Sequence, residues 1–586
     1  MCMFCKKSTA EGKPRRNHGC LWAIVICLLA YVGMSILMGM MMGSLFSSSS
    51  KLEKNTVYQL KMKGLVVEQG EEDNPFASAF GEVPFAARKV EKVGLNDLCR
   101  NIRMAAEDER IKGIILRGGD LFIEPASAKT LRDELLNYKK SGKFLIAYSD
   151  RYDQLNYYIA SVADKIFLNA TGVVAWNGLT AQKMYYTRLL QKVGVEMQIL
   201  KVGTFKSAVE PFFRTSMSEA DKEQTKRYLD GIWSEMRQGV STGRGIAEDT
   251  LDMLANRCME LQDPEEYVAT GMVDSLIYSE DVDSILIAMT GTEDYNTIST
   301  ASLATVKRDT HKADNKIAVV YAEGEITDDG TSGIVGKKLV KLLGEIGEEE
   351  DVKAVVFRVN SPGGSADASE QIWHAVTTLQ KKGIPVVVSM GDYAASGGYY
   401  ISSSADYIYA EPTTLTGSIG IFGMIPSFAA LRDKLGLDID GISTHNHAAL
   451  GANMTYRGMN DEERALMQNM VNRGYDLFTR RCAEGRHMSQ DSIKLIGEGR
   501  VWLGRDALNL GLVDALGNID SAIVKAADLA ELTDYQLEYY PEKKDFLTGL
   551  MELMDNTTEE ERLYMRLKAF CSQPRILMLM DRVEFE

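Results

Sequence analysis

VVVSMGDYAASGGYYI, residues 386–401, reads as a buried strand that turns sharply into a helix. Val386, Val387 and Val388 form a short apolar run, with Pro385 before it and Gly391 after it, the pattern of a strand covered on both faces. Small residues, Ala394, Ala395, Gly397 and Gly398, then crowd around Ser396. Tyr399, Tyr400 and Ile401 suit the first turn of a packed helix. A serine nucleophile needs this setting. It must sit on a tight turn where no side chain blocks an incoming carbonyl, and the N–H groups after it must face the developing oxyanion. A glycine-rich turn with an incidental serine has the same letters, so the rest of the chain must separate the two readings.

The chain contains this unit twice. IKGIILR at 111–117 matches VKAVVFR at 352–358, and both are apolar runs suited to a strand. Helix-compatible segments follow at 126–140 and 366–382, and second strands at 143–147 and 384–388. YYIASVAD at 157–164 then matches YYISSSAD at 399–406. Strand, helix, strand, helix, repeated, predicts two α/β domains of parallel strands with right-handed crossovers, made by internal duplication. The join is expected in the Thr/Ser/Lys/Asp-rich residues 295–313. At the offset that brings Tyr157 onto Tyr399, the position of Ser396 is taken by Gln154. The loop Asn360-Ser-Pro-Gly-Gly is likewise replaced by Gly118-Gly-Asp-Leu-Phe. The first copy therefore has the scaffold without the hydroxyl.

At 586 residues, with 45% hydrophobic and 25% charged residues, the composition is that of a globular protein with room for about three or four domains. A net charge of −16 argues against nucleic acid as a partner. The eight cysteines, Cys2 and Cys5 included, show no metal-ligand spacing, so neither a metal nor another cofactor is expected. Residues 21–42 carry no charge and are long enough to span a bilayer. Lys6, Lys7, Lys13, Arg15 and Arg16 precede them, so the first twenty residues are expected to stay in the cytoplasm and the rest to lie outside it. In a bacterium with two membranes, that is a single-pass inner-membrane protein with periplasmic domains.

Ser396 needs a base within hydrogen-bond reach. His445 and His447, in a polar loop after the second unit, are the best histidine candidates. A lysine does the same work if burial and nearby hydroxyls hold it neutral. Lys206, among the small and aromatic residues of VGTFKSAVEPFFR at 202–214, is the candidate of that kind.

GTFKSAVEPF at 203–212, NSPGGS at 360–365, AASGGYY at 394–400 and LTGSIGIFG at 415–423 together resemble the signal peptide peptidase A family, or protease IV, in its long duplicated form. The resemblance covers nearly everything after the apolar run. It implies a Ser/Lys dyad with Ser396 as nucleophile and Lys206 as general base, the second copy having no lysine near Ala448. It further implies that Ser418 hydrogen-bonds the lysine amine, and that Gly363 or Gly364 forms the oxyanion hole with Gly397. The family's fold is crotonase-like, shared with the Clp protease. Its long form is a ring of four subunits in the membrane, and its substrates are cleaved signal peptides.

The expected organisation is a cytoplasmic segment at 1–20, a transmembrane anchor at 21–45 in contact with lipid, α/β repeats at 46–300 and 301–540, and a helical tail at 541–586. The competing readings are a crotonase-type acyl-CoA enzyme and an inactive membrane scaffold that binds peptides.

Overall fold

The computed structural model describes residues 52–70, 91–306, 312–330, 332–542 and 575–579. The first repeat contains β1 (Thr56–Val67), β2 (Lys92–Gly94), β3 (Ile111–Phe122), β4 (Phe144–Tyr152), β5 (Lys165–Val174), β6 (Glu196–Val202), β7 (Ser275–Ile277) and β8 (Asn296–Ser299). The second opens with β9 (Lys316–Glu323), β10 (Ile326–Thr327), β11 (Ile334–Val335), β12 (Val352–Ser361) and β13 (Gly363–Ser365). It continues with β14 (Val386–Ala395), β15 (Tyr407–Ala410), β16 (Leu415–Gly417) and β17 (Ile421–Ser427). Its last strands are β18 (Val501–Leu503), β19 (Ala515–Leu516), β20 (Gln536–Tyr540) and β21 (Arg575–Leu579).

Each repeat builds its own mainly parallel sheet. The first has the order β2-β1-β3-β4-β5-β7, with β8 also on β1; the second has β18-β16-β14-β12-β9-β20, with β15 joining β14 to β19. The apolar runs singled out in the sequence are the centres of these sheets, since a parallel strand is covered by helices on both faces. All ten residues of β14 are buried.

The duplication extends to individual hydrogen bonds. The Asp164 carboxylate accepts from the Leu145 N–H at 2.9 Å, and that of Asp406 from Val386 at 2.7 Å. The Tyr157 hydroxyl donates to the Met272 carbonyl at 2.7 Å, and that of Tyr399 to Leu512 at 2.8 Å. Each repeat carries one 26-residue helix, Glu219–Arg244 and Asp461–Arg486. The mixed α/β fold with two related units is thus the one expected.

A third sheet, β11-β10-β13-β21-β17-β6, draws on both repeats. β6 leaves its own repeat and lies antiparallel on β17, with Val202 opposite Ile421.

Two expectations are corrected. Part of the supposed linker at 295–313 is strand β8 and the helix Thr300–Ala304, because residues 296–299 pair with the start of β1. Within the supposed helical tail, the described residues 575–579 are a strand, β21, because they gain ladder bonds on both edges. The apolar run at 21–42 lies outside the described residues. Among those described, no helix is long and apolar enough to cross a membrane.

Candidate active site

β14 ends at Ala395, and the helix Gly397–Ser402 begins one residue later. Ser396 makes the turn between them with φ 56° and ψ −115°, a conformation that a residue with a side chain adopts only at a cost of about 1–3 kcal/mol. Its N–H donates to the Gly417 carbonyl at 2.8 Å, which ties the turn to the end of β16. The flanking glycines are required by closeness. A Cβ on Gly398 would stand 2.5 Å from the Ser361 carbonyl oxygen, and one on Gly397 2.7 Å from Ser369 Oγ.

Lys206 reaches this turn from the other repeat. After β6, the chain bends at Gly203, φ 107°, and the Phe205 N–H donates to the Glu498 carbonyl at 2.9 Å. Lys206 then lies against Gly499, where a Cβ would come within 2.7 Å of its own Cβ. Its Nζ is 2.8 Å from Ser396 Oγ, 3.0 Å from Ser418 Oγ and 3.1 Å from the Ser418 carbonyl oxygen, hydrogen-bonded to each. These three partners are uncharged oxygens. Ser396, Lys206 and Ser418 are 0%, 1% and 2% exposed. Ser418, like Ser396, has positive φ, 49°. Two strained serines on one buried amine point to a functional constraint.

The expected oxyanion glycines lie beside the turn. A Cβ on Gly397 would be 3.2 Å from both Gly363 Cα and Gly364 N. The two are not equivalent: the Gly363 N–H donates to Ser361 Oγ at 3.2 Å. His445 and His447 are not brought in. His445 bonds its neighbour Thr444 at 3.0 Å, His447 pairs with Glu462 at 3.4 Å, and neither is bonded to Ser396.

The first repeat has the same turn, filled. Gln154 is buried and accepts from the N–H groups of Asn177 and Gly178 at 2.9 and 2.8 Å. Trp176, fully buried, stands at the offset of Ser418, because Tyr152 pairs with Val174 as Ala394 pairs with Thr416. Its indole N–H donates to the Leu251 carbonyl at 3.0 Å.

The sequence reading missed the turn Glu498-Gly-Arg. It holds the Lys206 loop, with the Arg500 guanidinium 4.4 Å from the Phe205 ring centre. It also missed Gln224, whose amide donates to the Phe205 carbonyl at 3.1 Å. The Glu-Gly-Arg step was the one local signal available. Among the described residues, no group of three or more His, Cys, Asp or Glu side chains is placed to hold a metal.

A buried amine among uncharged oxygens, a hydroxyl on a strained turn and backbone amides beside it are parts that an acyl-transfer site needs. Comparison with known proteins agrees. The chain matches peptidase family S49 twice, over residues 137–289 and 378–533. It is 34% identical to Protease 4 of Haemophilus influenzae over 552 residues, 87% of this chain and 86% of that protein. To Protease 4 of Salmonella typhi it is 37% identical over 547 residues, 90% and 86% of the two chains. To the chloroplastic serine protease SPPA of Arabidopsis thaliana it is 32% identical over 453 residues, 75% and 66%.

Proposed function

The chain belongs to peptidase family S49 and is a serine peptidase, and from that premise we propose that Ser396 is its nucleophile and Lys206 its general base. The observation that carries this reading is the 2.8 Å separation of Nζ and Oγ, both out of water. Unprotonated, the amine takes the hydroxyl proton as Oγ attacks the peptide carbonyl. The tetrahedral oxyanion is met by the N–H groups of Gly397 and Gly364, the Gly363 amide being already engaged. The C–N bond then breaks, and Lys206 passes its proton to the departing amine. Water attacks the remaining ester and gives a proton to Lys206, which returns it to Ser396 Oγ as the acyl C–O bond breaks and the acid leaves. Ser418 orients the amine through its hydroxyl and its carbonyl oxygen. Gln154 and Trp176 leave the first repeat as a scaffold that contributes the lysine.

The wider reading is a membrane-anchored endopeptidase with crotonase-like repeats, held by residues 21–42 in a bacterial inner membrane with its domains in the periplasm. Its substrates are apolar peptides such as cleaved signal peptides. A ring of identical subunits, four by family resemblance, belongs to this reading. Exposed Ile439 and Ile442 stand at the offset of β6, with exposed Leu437 one residue before it, and exposed Met184 stands at that of β17. Each copy thus offers the next an unpaired counterpart of the β6–β17 pair.

The test is hydrolysis of an apolar fluorogenic peptide by the full chain and by Lys206→Ala, with circular dichroism as the folding control. We expect the variant to lose about a thousandfold or more in kcat. A variant that keeps most of its rate would overturn the dyad and return His445 or His447 to consideration.

A further inference from the structure

We propose that Gln224 is a positioning residue for the reaction: from the helix Glu219–Arg244, its side-chain amide fixes the lysine loop against the strand that backs Ser418. The proposal rests on the reading of Lys206 as general base. Gln224 is 2% exposed. Its Nε2 donates to the Phe205 carbonyl at 3.1 Å and to Ser207 Oγ at 2.9 Å, on the two residues that flank Lys206. Its Oε1 accepts from the Val501 N–H at 3.2 Å. One amide is therefore bonded to both repeats.

Val501 lies opposite Gly417 in the β16–β18 pair. The residue before it, Arg500, accepts the Ser418 N–H on its carbonyl at 2.7 Å. The amide thus links the segment that carries Lys206 to the segment that holds Ser418, and it sets the distance between them. That distance decides whether Nζ stands 3.0 Å from Ser418 Oγ. The way round of the amide is fixed as well. Asp221, 0% exposed, accepts from Nε2 at 3.2 Å and is held by Lys183 Nζ at 3.0 Å from each of its oxygens. An ionised carboxylate only accepts and a backbone N–H only donates, so Nε2 must face Asp221 and Oε1 must face Val501.

The duplication separates this role from plain helix packing. At the offset that brings Tyr157 onto Tyr399, the two 26-residue helices coincide. Asp221 falls on Glu463, which is also buried and is paired with Arg457 as Asp221 is with Lys183. An ion pair at the helix start is therefore common to both repeats. Gln224, in contrast, falls on Leu466, which is 46% exposed, and Lys206 falls on Ala448. The buried amide is present where there is a lysine to hold and absent where there is none. The Glu498 carbonyl grips the same loop through the Phe205 N–H. Without the amide, the loop keeps that anchor and loses the one facing β18.

The test compares the full chain with Gln224→Met, which keeps the length of the side chain and removes the amide donor and acceptor. Hydrolysis of the apolar fluorogenic peptide is measured, and reactive sites are counted with a fluorophosphonate label taken to completion. Peptide affinity is read by anisotropy in Ser396→Ala chains with and without the change. We expect kcat per labelled site to fall about ten- to a hundredfold, with KM and the affinity unchanged. Added to Ser418→Ala, the change should cost less than it does alone, because both act on one amine. An unchanged kcat per labelled site would overturn the proposal, even if fewer sites are labelled, and so would a change confined to KM. Lys206→Ala, run alongside, keeps the two readings apart. If it retains its rate, the base and this proposal are overturned together; if it is inactive beside an unimpaired Gln224→Met chain, this proposal alone is overturned.

Discussion

Lys206 and Ser396 are 190 residues apart in the chain and 2.8 Å apart at Nζ and Oγ, with one repeat supplying each. The pairing depends on β6 crossing to β17 and on the turn at Glu498–Arg500 holding the lysine loop.

Gly499→Ala tests that turn. The new Cβ would fall 2.7 Å from Lys206 Cβ and 2.8 Å from its Cα and N, at a residue with φ 77°. Backbone on one side cannot give way, so the lysine must move. A displacement near 1 Å costs about a hundredfold in rate, with destabilisation of about 1–3 kcal/mol. Steady-state kinetics together with a thermal melt checks both; full activity would mean the turn does not set the lysine.

Ser418→Ala removes the hydroxyl 3.0 Å from the amine while leaving the carbonyl contact at 3.1 Å. Loss of one hydrogen bond of about 1 kcal/mol predicts a fall in kcat of roughly five- to tenfold with KM unchanged. A change confined to KM would place Ser418 in peptide binding instead.

Gln154→Ser in a Ser396→Ala chain is expected to stay inactive. The turn would regain its hydroxyl, but Trp176 fills the place that Ser418 has in the other repeat. Any recovery in the peptide assay above the Ser396→Ala background would contradict this account of the first site.

Stability should fall as pH rises from about 4.5 to about 7. Burial pushes the Glu411 carboxyl from its ordinary 4.5 up to about 7 against the pull of Lys129, and burial with the nearby Glu68 charge pushes Glu323 up to about 7 as well. Each carboxyl holds its proton longer in the folded chain than in the unfolded one. The folded state therefore binds more protons across that window, and its stability is fullest below it. For Glu411, which accepts from Thr130 of the other repeat at 2.9 Å, the change is on the order of 3 kcal/mol. Urea titrations at pH 5 and pH 8 should show it, and Glu411→Gln should flatten the difference. An unchanged slope in that variant would remove Glu411 as a source.

Much was legible before any coordinates. The apolar runs of β3, β12 and β14 announce parallel strands because strands covered on both faces need unbroken apolar sequence. The crowding of Ala394, Ala395, Gly397 and Gly398 marks Ser396 because a strained turn with an exposed carbonyl path tolerates only small neighbours. The repeat offset pairs Ser396 with Gln154 without any structure.

What the letters alone determined, then, is local: strand, turn and hydroxyl, each written in residues a few positions apart. They left Lys206 beside His445 and His447 as open alternatives, and the family motifs chose among them. The tertiary structure alone decided that β6 pairs outside its own repeat and that Trp176 fills the first site. It alone placed β21 between β13 and β17 rather than in a helical tail. Those outcomes depend on edges and cavities made by segments far apart in sequence. A strand's partner is set by which edge is left open nearby, and no local periodicity records that.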